Sequence, residues 1–428
     1  MNELVKKYSL VVGLIIFFFI FVAFYSLLYI NNQNQFSILA QSFIEGKTNF
    51  SEQLYDSAVF NGKYYWPLGP FPAILLMPMA LIGRFFNIFP YQAFLQIPLG
   101  WCIFFVCFKI SKLLKYPTID SLYWAFALCF STSLIGVLFV TESWYFSQVI
   151  CFLLALLLIL EHSTKKRYWL MGLLVGLLLA TRVTAAIPAF LFVFLSMIFL
   201  PKITKNNSQN TLVSKKNQLL HALKNCFSKE SLSKIIQLLV PLTIIIILLS
   251  IYNYVRFNNF SEFGYTKQVI VSTESLVVAR NYGVFSLLHI PGNIYYSLLS
   301  MPLPIFKDGI SHVLKFPFIA MNPWGMSVFV TSPYLFYLFL IKYKDRLSKI
   351  LLIVIIIGLI PIFTYFGIGF KQFGYRYFLD VMPFVFLLLI TGYSLKNRVL
   401  SRGFKSLIVV SAFLNLYMLF FFYLPHII

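Results

Sequence analysis

Negative charge is what this chain has least of. Its 428 residues hold 13 Asp and Glu against 34 Lys and Arg, and charges of both signs together make up 11%. A soluble domain carries roughly 25%, so a water-facing globular chain is excluded. With 60% hydrophobic residues and a mean hydropathy of +0.84, this is a polytopic integral membrane protein. Short alternating segments are missing, which excludes a β-barrel. The apolar runs are instead about 20 residues long, the length of helices that satisfy their own backbone in lipid. Cysteine is scarce: Cys102, Cys107, Cys129 and Cys151 lie in apolar segments and Cys226 in a basic loop. No pair has metal-ligand spacing and no disulfide framework is implied. The five histidines show no i, i+4 pairing, so no zinc site is expected. There is no internal repeat of the kind that marks inverted-repeat transporters, and no soluble catalytic domain.

What is abundant is positive charge, a net +21. It falls in clusters between apolar segments, which is an orientation signal and not a nucleic-acid groove. Nucleic acid is therefore not an expected partner. The basic Met1–Lys7 precedes an apolar run, Tyr8–Ile30, read as an uncleaved first span with the amino terminus in the cytoplasm. A first outer loop, 31–90, contains Phe71–Phe86, short and bracketed by prolines. If that segment crossed, the clusters at Lys109–Lys115, Lys165–Arg167 and Lys202–Lys234 would lie outside, against the positive-inside rule. It is read as an interfacial helix. The basic cytoplasmic loop 201–234 is rich in Asn, Ser and Lys, with an amphipathic stretch near Leu219–Phe227. A second long outer segment occupies 256–325. Met326–Ile341 and Ile350–Gly367 are further spans, and the count reaches about 11. The fold class is all-α, one transmembrane domain over 1–428 with its working face extracytoplasmic.

With so few carboxylates, their placement is informative. On this topology Glu45, Glu52, Asp56, Glu142, Glu262, Glu274, Asp308 and Asp380 face out, beside aromatic and proline-rich sequence. Asp56 is the leading candidate for a catalytic base. It precedes Phe60-Asn61-Gly62-Lys63-Tyr64-Tyr65-Trp66-Pro67, where Lys63, Tyr64 and Tyr65 suit a headgroup or sugar-stacking surface, and a carboxylate there could take a proton from an acceptor hydroxyl. The plainer reading is a helix cap or a loop hydrogen bond. Glu142 stands at a junction of two spans, where it is either a second acid of the site or a solvated interfacial charge. Arg182, Arg256, Lys371 and Arg376 lie at outer ends of spans, against the orientation signal, and guanidinium groups pair well with a lipid-linked phosphate. Tyr375 accompanies Arg376. For Arg376 the competing reading is an i, i+4 pair with Asp380.

Several of these stretches resemble the GT-C superfamily of membrane glycosyltransferases, specifically the bacterial family 39, protein-mannosyltransferase-like group. They are Leu39-Ala40-Gln41-Ser42-Phe43, Asp56 with Phe60–Tyr65, Pro70-Phe71-Pro72, Gly176–Arg182, Tyr252–Phe257 with Glu262–Tyr265, and Phe373–Tyr377 with Asp380 and Pro383. The resemblance implies a GT-C-like helical bundle that transfers a sugar from a polyprenyl-phosphate donor to an envelope glycan, lipid or protein. It also implies a plasma (inner) membrane location, and it leaves room for a divalent metal ion while requiring no certain cofactor. The acidic pair usual early in the first outer loop is replaced by Asn31-Asn32-Gln33-Asn34-Gln35, so Asp56 would have to serve. Trp66-Pro67-Leu68-Gly69-Pro70 stands where lipid A aminoarabinose transferases carry lysine-proline-proline. Two alternatives stay open at this point: a transporter or flippase of an envelope precursor, and an inactive GT-C-like scaffold.

Overall fold

A computed structural model describes residues 2–28, 30, 33–200, 229–269 and 274–423. Asn31, Asn32, Cys226, most of the basic loop and the Leu219–Phe227 stretch lie outside the described residues. Helices dominate. Among the described residues, six are long and apolar enough to cross a membrane. They are α1 (Asn2–Leu28), α4 (Ala93–Leu113), α7 (Ser143–Ser163), α10 (Lys229–Phe257), α12 (Arg346–Thr364) and α14 (Arg402–Tyr423). Shorter apolar helices are α3 (Phe71–Phe86), α5 (Thr118–Phe130), α8 (Tyr168–Leu179), α9 (Val183–Phe199) and α13 (Met382–Lys396). The connecting segments carry further helices, among them α2 (Gln35–Ile44), α6 (Leu134–Phe139) and α11 (Glu274–Asn281).

Two expected spans are not single helices. Leu122–Val140 breaks at Ser131–Ser133, where the Ser131 hydroxyl donates to Ile408 O at 2.7 Å and Thr132 turns back onto Leu128 O at 2.8 Å. Side chains that bond the backbone locally compete with the helix ladder. Met326–Ile341 is a four-residue helical turn, Val328–Thr331, followed by a 3₁₀ stretch, Pro333–Leu340. Pro333 has no N–H to continue the first turn and pushes Ser332 out of helical geometry; Ser332 sits at φ −139°, ψ 63°.

An all-α reading also misses two antiparallel hairpins, β1 (Ala58–Phe60) with β2 (Lys63–Tyr65) and β3 (Leu303–Phe306) with β4 (Leu314–Ala320). Asn61-Gly62, both at positive φ (49° and 70°), joins β1 to β2, the pairing that a two-residue hairpin turn selects.

α7 is the hub. Of its best 18-residue span window 78% is buried, against 17% for α10, which lies at the periphery. α7 packs against α4 and α8, and α9 packs against α12. α8 and α10 touch at backbone level: a Cβ on Gly172 would stand 2.0 Å from Leu238 O. Small residues permit this approach where lipid supplies no hydrophobic drive between helices. α7 runs for 21 residues, about 30 Å at 1.5 Å per residue, from Glu142 at one end of the bundle to Lys165, Lys166 and Arg167 at the other. α12 and α13 repeat the pattern, with Arg346 and Lys349 at the start of one and Lys396 at the end of the other. The bundle thus has a lysine-rich end and an opposite end that carries the long connections.

Candidate active site

At the end opposite the lysines lies a cavity of about 590 Å³ whose wall includes Asp56, Glu142, Arg182, Lys371 and Arg376. These residues come from four connections far apart in sequence, so the local folding of each connection decides where its side chain goes.

Asp56 sits in a turn closed by Ser57 N donating to Leu54 O at 3.1 Å, and held from outside by Val269 N donating to Ser57 O at 3.0 Å. Its backbone is left-handed (φ 60°), a conformation that Asp and Asn tolerate better than most residues. The side chain is half-buried, and its Oδ1 is buried with no hydrogen-bond partner. Burial raises its pKa from 3.8 to about 6, against the pull of the Arg376 guanidinium. Glu142 precedes α7 with an extended backbone (φ −72°, ψ 154°) and does not cap the helix with its side chain. The junction around it is fixed instead by neighbours. Ser143 N and Oγ both donate to Gln33 O, at 3.1 and 2.8 Å, and the Gln92 amide donates to Thr141 O. The Glu142 carboxyl is left facing the cavity, its pKa raised by burial and lowered in part by Arg376 and Lys371.

The other acids contrast with this pair. Among the described residues, every other buried or half-buried carboxylate has a definite bond. Asp120 pairs with Lys405, Glu161 with Arg167 and Asp380 with Arg182. Glu262 accepts from Gly264 N and Asp345 caps α12. Leaving a buried carboxylate unpartnered costs free energy, and Asp56 and Glu142 are where this protein tolerates it.

Arg376 opens a 3₁₀ stretch, Arg376–Asp380. Gln148 of α7 donates to its carbonyl at 3.0 Å, and its guanidinium lies over the rings of Tyr145 and Tyr377, at 5.0 and 4.8 Å. Its polar contacts are long, 3.5 Å to Gln148 Oε1 and 3.4 Å to Tyr377 OH, and its Nε has no hydrogen-bond partner. Among the described residues it forms no salt bridge within 4.0 Å. The i, i+4 pairing with Asp380 is therefore not made. A 3₁₀ helix has three residues per turn, which turns position i+4 away from position i. Asp380 instead accepts from two of the three Arg182 guanidinium nitrogens, Nε and Nη2, each at 3.3 Å, and from the Thr184 hydroxyl. Arg182 is thereby neutralised, and Arg376 remains the buried cation that faces both free carboxyls.

The segment bearing Lys371 is tightly placed. Tyr145 OH donates to Lys371 O at 2.8 Å, and the Gln372 amide donates to Ile368 O and Trp324 O, both at 2.8 Å. Gly374 (φ 63°) lies so close to α6 that a Cβ there would stand 2.7 Å from Ser133 Cβ. Aromatic rings complete the wall: Trp144, Tyr265, Tyr365 and Tyr377.

The remaining candidates lie elsewhere. Lys63 is exposed on the first hairpin, Tyr64 is half-buried there, and Tyr65 packs on Phe257 with ring centroids 5.2 Å apart. Arg256 is buried off the main wall, donating to Trp66 O at 2.8 Å and Asn253 Oδ1 at 2.7 Å, 3.9 Å above the Tyr252 ring. It ties the first outer loop to the end of α10. Tyr375 donates to Asn293 Oδ1 at 2.8 Å beneath the surface. Among the described residues no three His, Cys, Asp or Glu side chains come together. A divalent ion in the cavity would find two acidic ligands, Asp56 and Glu142, and would meet the charge of Arg376. The residues present do not complete a metal cage.

Tyr265, Tyr365, Tyr377, Trp144, Thr184 and Gln33 also line the cavity and were not singled out from sequence. Tyr265 and Tyr377 do fall in the family-like stretches. Gln33, from the run of Asn and Gln that follows the first span, also reaches the cavity wall.

No family model and no curated protein matches this chain. Among solved structures it is similar to the apo crystal structure of the Archaeoglobus fulgidus oligosaccharyltransferase, at 14% identity and a TM-score of 0.40. The match covers 94% of this chain and 55% of the other, so the chain spans about half the length of that protein. This likeness is too distant to place the chain in a family.

Proposed function

We propose that the protein transfers a sugar from a polyprenyl-phosphate-linked donor to a hydroxyl-bearing acceptor in the cell envelope. The observation that carries this reading is the pairing in one cavity of a partner-free carboxyl, Asp56, whose pKa of about 6 suits a general base near neutral pH, with a buried, unpaired guanidinium, Arg376. In this scheme Arg376 and Lys371 hold the donor phosphate. Asp56 takes the proton of the acceptor hydroxyl as its oxygen attacks the anomeric carbon. The bond from that carbon to the phosphate oxygen breaks, and polyprenyl phosphate leaves with its new negative charge stabilised by the two cations. Attack opposite the leaving group inverts the anomeric centre. Glu142 orients sugar hydroxyls, and the tyrosines and Trp144 supply faces for the sugar ring.

The positive-inside rule puts the lysine-rich end in the cytoplasm and the cavity at the extracytoplasmic face. In this reading α3, 16 residues long, is an interfacial helix along that face.

The test is transfer from a panel of labelled polyprenyl-phosphate sugars by the purified protein in nanodiscs. Wild type should transfer one of them. Asp56→Asn should lose about 10²–10⁴-fold, while Glu45→Gln, an exposed acid paired only with Lys47, should not change the rate. Undiminished transfer by Asp56→Asn would remove it from the mechanism. No transfer with any donor, alongside flux of an envelope precursor in vesicles, would favour a transporter.

A further inference from the structure

The hairpin β3–β4 is built the wrong way round for a domain facing water. Leu314, Phe316 and Phe318 alternate along β4, and all three are exposed; Phe316 is 59% exposed, and Ile310 at the tip 90%. The Phe316 and Phe318 rings lie 5.8 Å apart, so they form one surface. A soluble hairpin would turn this face inward or carry polar residues there.

What the hairpin rests on indicates what it meets. Phe316 stacks edge-on against Phe421 of α14 at 5.0 Å, and Tyr417 OH donates to Pro317 O. Tyr417 lies six residues before the end of α14 at Tyr423, about 9 Å down the helix axis. The hairpin therefore sits at the depth of the last two turns of a spanning helix. Phe413, Tyr417 and Phe421 follow at i, i+4 and i+8 on one face of α14, and Phe413, nearest the middle of the helix, is itself exposed. The apolar face of β4 continues that stripe. Lys307 and Lys315, both exposed on the same hairpin, are long enough to reach phosphate headgroups from this depth.

We infer that β3–β4 is a membrane anchor whose apolar face lies at the boundary between headgroups and acyl chains, fixing the cavity end of the bundle at the lipid surface. This is independent of the reaction assigned to the cavity.

The test places the photoreactive residue p-benzoylphenylalanine at Phe318, at Ile310 and, as a lipid-facing reference, at Phe413. The full-length protein is irradiated in nanodiscs of phosphatidylethanolamine and phosphatidylglycerol and in its native membrane, and adducts are read by intact mass and gel. Monodisperse elution confirms that each variant is folded. The inference expects phospholipid adducts at Phe318 and Ile310 in both preparations, as at Phe413. A cross-link to a second copy or to another protein at these positions, or no lipid adduct where Phe413 gives one, would overturn it.

Discussion

Replacing Asp56 by Asn should make the protein more stable and less active, and the stability gain should depend on pH. Asn is nearly isosteric and accepts the left-handed backbone that Asp56 occupies (φ 60°), so the turn is kept. What the substitution removes is the cost of ionising a half-buried carboxyl that has no hydrogen-bond partner on Oδ1. Burial raises its pKa from 3.8 to about 6, and at 1.36 kcal/mol per pH unit the cost is about 3 kcal/mol. The sign follows from linkage. The folded state holds this proton more tightly than the unfolded chain, so stability falls as pH rises from 3.8 through about 6 and stays lower above that. Asp56→Asn should thus melt several degrees above wild type at pH 8 and no differently near pH 4. The assay is thermal unfolding in detergent at a fixed scan rate over pH 4–8, because such unfolding is commonly irreversible. A variant less stable than wild type at every pH would show that Asp56 is held by bonds the folded protein needs. That result would refute its assignment as a strained functional group.

Two further substitutions probe how the site is held. Arg182→Gln or Asp380→Asn breaks a buried two-nitrogen ion pair and should destabilise by about 3–5 kcal/mol, whereas Arg182→Met with Asp380→Leu should recover much of that loss in thermal unfolding; equal loss in all three would mean that the pair acts through other partners. Gly136→Ala puts a Cβ 2.5 Å from Phe373 Cβ and should displace the segment leading to Arg376, costing about 1–3 kcal/mol and reducing transfer, while Gly403→Ala, with nothing within 4 Å, should change neither melting nor rate.

Part of the candidate site could be read from the sequence, for an identifiable reason. In a chain with 13 carboxylates, an acid amid aromatic loop sequence is conspicuous, and Asp56 and Glu142 line one cavity together with Lys371 and Arg376. What stayed hidden depended on local geometry or on long-range pairing. The Arg376–Asp380 spacing suggests a helical pair only if the segment is α-helical, and it is 3₁₀. The true partner of Asp380, Arg182, is 198 positions away. Arg256 reads like a free outer cation until its contacts with Trp66 O and Asn253 are seen. Asn61-Gly62 has the composition of a two-residue hairpin turn, which the overall hydrophobicity concealed. Met326–Ile341 has the composition of a span, and Pro333 divides it.

The account depends most on Asp56 and Arg376 facing one another across a single reacting space, and the pH dependence of kcat/KM for sugar transfer tests that most directly. Wild type should lose activity on acidification with a midpoint near pH 6, where the Asp56 carboxyl takes up its proton. In Arg376→Gln the residual activity should show that midpoint moved upward by about one pH unit or more, because a nearby opposite charge typically lowers a carboxyl by 1–3 units. An acid limb unmoved by loss of the guanidinium, or one that survives in Asp56→Asn, would contradict it.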